Sequence, residues 1–150
     1  MPALFYHVTQ SAVDEVVATL LTRALAQGWR VELRGRTGQA MDWLDEKLWL
    51  GPEDGFLPHG RAGGPHDDLQ PALLTTEPAA GDFAAVMALE GAEVSPEEVA
   101  ARERVWILFD GRDPAAVQGA RGQWKALTAE GAKAQYWSEE SGRWEKKAES

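Results

Sequence analysis

His59, His66, Asp67 and Asp68 fall within one short run, HGRAGGPHDD, and between them could supply the nitrogen and oxygen ligands of a hydrolytic metal. No H-E-x-x-H helix accompanies them and no second ligand cluster appears, while the third histidine, His7, lies in an apolar run near the start. The chain has no cysteine, which removes thiolate nucleophiles, disulfides, Cys-ligated zinc and iron–sulfur clusters together. A second chemistry is offered by RGRTG, Arg34 to Gly38, where two arginines stand between a strand and a helix and an anion could rest on helix N–H groups. Neither G-x-G-x-x-G nor G-x-x-x-x-G-K-[ST] follows any strand, however: after the first strand the chain reads HVTQSAVDE. Asp110 ends a strand, where carboxylates of α/β sites often act, but it is equally placed to cap a helix, and no partner base is identifiable. There is no G-x-S-x-G elbow. The enzymatic reading that remains is a small α/β nucleotide-binding protein or hydrolase using the Arg34–Gly38 or His59–Asp68 loops.

Binding chemistry is better supplied. In ARGQWKA, Arg121 and Lys125 are four residues apart and share a helix face, with Trp124 three residues from Arg121. Two cations beside an aromatic ring suit an acidic peptide that ends in an apolar residue: the charges take the carboxylates and the ring lines a pocket. The competing reading makes Trp124 a core residue that the cations merely border. Trp49 and Phe56 flank a tight GPEDG turn and could meet across it as a hydrophobic patch. Phe56 opens FLPHG, in which Pro58 stiffens the turn and His59 has no paired base or nucleophile. Seven tryptophans in 150 residues raise the expectation of a protein partner, since tryptophan is enriched at interface hot spots.

The elements that must position these residues alternate along the chain. ALFYHV reads as a first strand. SAVDEVVATLLTRALAQG follows with helical period, Ser11 and Asp14 as a reciprocal N-terminal cap and Gly28 as its stop. WRVELRG is a second strand, and TGQAMDWLDEKLWL a second helix with Met41, Leu44 and Leu48 on one stripe, closed by Gly51 and Pro52. FLPHGRAGGPHDDLQP reads as loop, PALLTTE and FAAVMALEG as short strands. SPEEVAARE is a capped helix with Ser95, Pro96 and Glu98 in the signature positions. RVWILFDG is the strongest strand, apolar enough to be covered on both faces. DPAAVQGARGQWKALTAEG is a last long helix opened by Asp113, AKAQYWSEESGRW a final strand, and KKAES a polar tail that frays. Strand and helix in alternation predict an α/β domain with a mostly parallel sheet.

Length fits a single domain. The formal net charge of −9, from 15 Lys and Arg against 24 Asp and Glu, repels nucleic acid on average, so a nucleic-acid role needs a local basic patch or a partner that makes the contact. No apolar run approaches the roughly 20 residues that span a bilayer, and no secretory leader is evident, which leads us to expect a cytoplasmic protein.

FYH near the start, AQGWRVELR, a helix ending LDEKLW joined to GFLPHG, QPALLTT, and ARGQWKALTAEGAKAQYW together resemble the chi subunits of bacterial DNA polymerase III holoenzyme, over about residues 3 to 146. The resemblance implies a single-domain, Rossmann-like three-layer sandwich without a phosphate-binding loop, spanning residues 1–146 with 147–150 as tail. It also implies no cofactor and no intrinsic activity. Its implied partners are the psi subunit of the clamp loader and the acidic, phenylalanine-ending C-terminal tail of single-stranded DNA-binding protein, with DNA contacted mainly indirectly. By position, the tail-binding residues are Arg121, Trp124 and Lys125, and the psi-binding surface Trp49 and Phe56. Gln123 and Thr128 stand where some members carry arginine, which implies a weaker or less salt-dependent tail contact.

Overall fold

The computed structural model describes residues 2–49, 58–63, 67, 70–79 and 81–150, with the backbone alone at residue 49. In chain order the elements are β1 (Ala3–Val8), α1 (Val13–Ala26), β2 (Val31–Arg34), α2 (Gly38–Trp49), β3 (Gly60–Arg61), β4 (Ala72–Thr75), β5 (Ala85–Ala88), α3 (Pro96–Ala101), β6 (Arg104–Asp110), α4 (Pro114–Ala129), β7 (Ala134–Ser138) and β8 (Glu145–Glu149). The strands form one eight-stranded sheet in the order β3-β4-β2-β5-β6-β1-β7-β8. Every neighbouring pair is parallel except β7 and β8. This is the mostly parallel α/β sandwich expected from the alternation of elements.

Successive side chains of a strand point to opposite faces, and β1 shows how that divides the core. Leu4 and Val8 join Val17, Leu20 and Leu21 of α1 and Met41 and Leu44 of α2 in one apolar layer. Ala3 and Phe5 join Val99 of α3 and Ala120 and Leu127 of α4 in the other. Each fully buried Leu or Val contributes about 1.5–3 kcal/mol, so the apolar stripe of α1 is enough to hold it to the sheet. α3 starts as read: Ser95 accepts from the Glu98 N–H at 3.1 Å and Glu98 accepts from the Ser95 N–H at 3.1 Å.

Three local readings are corrected. The N-cap of α1 is Ala12, whose N–H donates to Glu15 at 3.2 Å; the Ser11 hydroxyl donates instead to Glu139, 128 residues away, at 3.0 Å. A two-residue strand, β3, pairs with β4 inside the run read as loop. KKAES does not fray: Lys146 to Glu149 belong to β8, and the N–H of Ser150 donates to the Ala134 carbonyl at 2.9 Å. Lysine and glutamate are poor strand formers by propensity, but the turn at Gly142 (φ 94°) folds the segment back and Trp144 anchors it by stacking on Tyr6 at 4.9 Å. At the sheet edge the same lysines discourage pairing with another chain.

Candidate docking site

In an open α/β sheet a ligand is expected where neighbouring strands send their helices to opposite faces. Here that place lies between the carboxyl ends of β1 and β6, since α1 packs on one face and α4 on the other. It is filled by the chain itself. The Oε1 of Glu139 accepts the N–H groups of Thr9 at 3.1 Å, Gln10 at 2.8 Å and Ser11 at 2.6 Å. A carboxylate thus stands where a nucleotide-binding relative of this architecture would hold phosphate. Burial alone would raise the Glu139 carboxyl, and the bonds from Ser11, Gln10 and Thr9 outweigh it and hold it below the usual carboxylate range. Beside it Gly111 leaves no room: a Cβ there would lie 2.2 Å from Nε2 of His7. The His7 ring is itself buried, with Nδ1 3.2 Å from both Ser138 Oγ and Glu140 Oε1. Asp110 takes the Arg112 guanidinium and N–H, both at 2.9 Å. Those bonds lower its carboxyl, the wrong direction for a general base working near neutrality.

The anion site suggested by RGRTG is taken in the same manner. Arg34 is buried and lies between two carboxylates, Nε to Glu32 Oε2 at 2.9 Å and Nη2 to Glu98 Oε2 at 2.6 Å. Burial disfavours its charge, but the hydrogen bonds it donates to Glu98 and Glu32 more than reverse that and raise its pKa. At the start of α2 the N–H groups of Arg36 and Thr37 donate to Glu90 Oε1 at 2.6 and 2.9 Å. Both arginine and helix start are therefore satisfied internally, which overturns the reading of Arg34 to Gly38 as an open anion site. His59 is buried, 4% exposed, and its Nε2 lies 3.0 Å from Asp45 Oδ1 on α2, so it pins the incoming chain to that helix. Asp67 accepts from the Gly63 N–H at 2.9 Å, whereas His66 and Asp68 lie outside the described residues. Among the described residues no group of three His, Asp or Glu side chains is placed to hold a metal ion.

An open concavity of another kind lies on α4. α4 and the β7–β8 hairpin border a groove of about 490 Å³, lined among others by Arg121, Gly122, Trp124, Lys125, Tyr136 and Ala148. Asp113 starts the helix by accepting from the Ala115 N–H at 3.0 Å, with Pro114 in its first turn. Its inner stripe, Ala120 and Leu127, is buried, which leaves Arg121 and Lys125 exposed on the groove side. Neither cation has an ion-pair partner among the described residues. Trp124 packs edge-on against buried Phe5 with centroids 5.3 Å apart and also lines the groove. Tyr136 sits 6.3 Å from it, centroid to centroid. Burial raises the Tyr136 hydroxyl, with Arg121 and its positive charge acting the other way, so the phenol is neutral near pH 7. Gln123 and Thr128 supply nothing to the groove rim, since Gln123 donates to the Ala92 carbonyl at 3.1 Å and Thr128 to the Trp124 carbonyl at 2.8 Å.

The sequence reading brought Arg121, Trp124 and Lys125 together but missed Tyr136 and Ala148, which face each other across β7 and β8. The alternation in AQYWS carried the signal for Tyr136; Ala148 had none, being in a segment taken for a tail. Trp49 ends α2, and its side chain and Phe56 lie outside the described residues. On the same helix Trp43 is 51% exposed, with Lys47 Nζ 5.5 Å from its ring centroid.

A three-layer α/β domain whose strand-end crevice is closed by its own carboxylates, and whose open groove is basic and aromatic, has the character of a docking module. The family model of the DNA polymerase III chi subunit, HolC, matches residues 1–135; the chain belongs to this family and is a noncatalytic, protein-binding accessory of that polymerase. No curated protein matches the chain. None of the described helices is long and apolar enough to cross a membrane.

Proposed function

We propose that the α4 groove receives the acidic C-terminal tail of single-stranded DNA-binding protein, while Trp49 and Phe56, at and after the end of α2, meet the psi subunit of the clamp loader. The observation that carries the first part is the groove of about 490 Å³ with Arg121 and Lys125 on its rim and Trp124, Tyr136 and Ala148 inside it. Tail carboxylates pair with the two cations, and the terminal phenylalanine packs against the rings of Trp124 and Tyr136 beside the small Ala148 side chain, where an aromatic group gains most from leaving water. A single contact of this kind is modest, and many tails along one coated strand raise the effective concentration. In this role the chain tethers the polymerase to coated template without itself doing chemistry. The assignment of Trp49 and Phe56 follows their positions in the family pattern, and exposed Trp43 on the same helix favours a partner there.

Fluorescence anisotropy with a labelled tail peptide tests the groove. Arg121→Ala and Lys125→Ala should each weaken binding about 3- to 10-fold at low salt, with the difference shrinking as salt screens the charges. Deleting the peptide's terminal phenylalanine should cost more than either variant. Unchanged affinity in both variants would sink the assignment. Pull-down of psi by Phe56→Ala against the native chain tests the second surface.

A further inference from the structure

The layer formed by α1 and α2 packs mainly over β2, β3, β4 and β6, and at the opposite end of the same sheet face the covering is aromatic. Tyr6 of β1 lies beside Trp137 of β7 in the parallel register, and Trp137 is paired with Lys146 across the antiparallel hairpin. Trp144 stacks on Tyr6, 4.9 Å between centroids and 30° between planes. These rings pack on the core from its margin and stay partly exposed. Cations surround them. Arg23 in the last turn of α1 and Arg104 at the start of β6 act electrostatically on the Tyr6 hydroxyl. Arg104 also lies 5.7 Å from the Trp29 ring centroid, and Lys146 and Arg143 border the hairpin side. Two carboxylates share the hairpin with them, Glu149 at 3.3 Å from Lys146 and Glu145 at 3.6 Å from Lys147; these pairs are exposed and weakly held, so a phosphate would displace Glu149 to reach Lys146.

In a chain of net charge −9, cations gathered around part-exposed rings on one sheet face are a local reversal of the average field. The composition separates the two kinds of polymer that could lie there. A protein partner gains most from a dry centre rich in apolar contact, whereas the part-exposed side chains here are the rings of Tyr6, Trp137 and Trp144, with charged groups rather than aliphatic ones beside them. Rings flanked by guanidinium and ammonium groups on an open sheet match what single-stranded nucleic acid requires: a platform for base stacking and charges for the backbone. We propose that this face binds single-stranded nucleic acid, with bases stacking on Trp137 and Trp144 and phosphates held by Arg23, Arg104 and Lys146. It is separate from the α4 groove, because Tyr136 and Trp137, adjacent in β7, belong to opposite layers. The inference therefore does not depend on the tail assignment.

The test is anisotropy of a labelled oligothymidylate of about 20 nucleotides, long enough to cover such a platform, with the full chain and no peptide. Binding is expected at low salt, falling steeply as salt rises. Trp137→Leu and the pair Arg23→Glu with Lys146→Glu should each lower affinity about tenfold or more, while Trp137→Phe, which keeps a stacking ring, retains most of it. Arg23 and Lys146 are exposed, so the charge pair tests the face without disturbing the packing that Trp137 makes with the core. The charge-matched pair Arg36→Glu with Lys47→Glu controls for net charge and should have a much smaller effect. No binding at low salt, or equal loss from the two charge pairs, overturns the proposal. So does an oligonucleotide that leaves tryptophan emission unchanged while a protein partner shields Trp137 from an aqueous quencher, which would make the face a protein interface.

Discussion

Replacing Glu139 by alanine removes the acceptor for three backbone N–H groups and the Ser11 hydroxyl at once. A hydrogen bond to a charged group contributes about 1.5–3 kcal/mol, but the bonds here converge on one carboxylate and are not additive. Water can also reach part of the opened site, since only Glu139 itself is deeply buried, at 5% exposure. We therefore expect a net loss of about 3 kcal/mol for Glu139→Ala, and about 1–1.5 kcal/mol for Glu139→Gln, which keeps one oxygen acceptor but loses the charge. In urea, with a slope of about 2 kcal/mol/M, the alanine variant should unfold roughly 1.5 M earlier with the slope unchanged. The pH dependence has a fixed sign. The folded Glu139 carboxyl titrates below its unfolded value of about 4.3, so its contribution is complete above that value and is lost as pH falls through the folded pKa. The gap between native and Glu139→Ala proteins should be widest near neutrality and close in acid. A midpoint shift worth less than about 0.5 kcal/mol at pH 7, below the value of even one charged hydrogen bond, would refute the claim that this carboxylate holds the β1–α1 turn.

Two further outcomes follow from the packing. Arg34→Met leaves the carboxylates of Glu32 and Glu98 facing each other in the interior, and equilibrium unfolding should show a loss of about 3–5 kcal/mol; adding Glu32→Gln should recover part of it. Gly111→Ala sets a Cβ against the buried His7 ring, at 2.2 Å from Nε2 before relaxation, and thermal melting should report a loss of about 1–3 kcal/mol, whereas Gly119→Ala on exposed α4 has nothing within 4 Å and should gain up to about 1 kcal/mol.

How legible each part was depends on how local its cause is. β6 could be read because five consecutive residues, Val105 to Phe109, are shaped by one requirement, burial on both faces, and α3 because Ser95 and Glu98 cap each other within a single turn. The role of Ser11 could not, because its hydroxyl donates to Glu139 near the far end of the chain while Ala12 and Glu15 begin the helix, and no local pattern separates a hydroxyl that caps its own helix from one that serves a distant carboxylate. Lys146 and Lys147 misled for a related reason: their weak strand propensity is outweighed by Trp144 docking on Tyr6, a contact made only once β1 and β7 are side by side.

By itself the sequence determined the alternation of elements, the parallel sheet and the spacing that puts Arg121, Trp124 and Lys125 on one side of a helix, since each follows from periodicity within a single segment. Tertiary structure alone decided that Glu139 and Glu90 fill the places an anion would take, that Arg34 is spent inside the core, and that Tyr136 and Ala148 complete the groove as its second wall. Those outcomes require groups far apart in the chain to compete for the same few N–H donors and the same buried volume, and that competition is settled only when the strands come together in their final order.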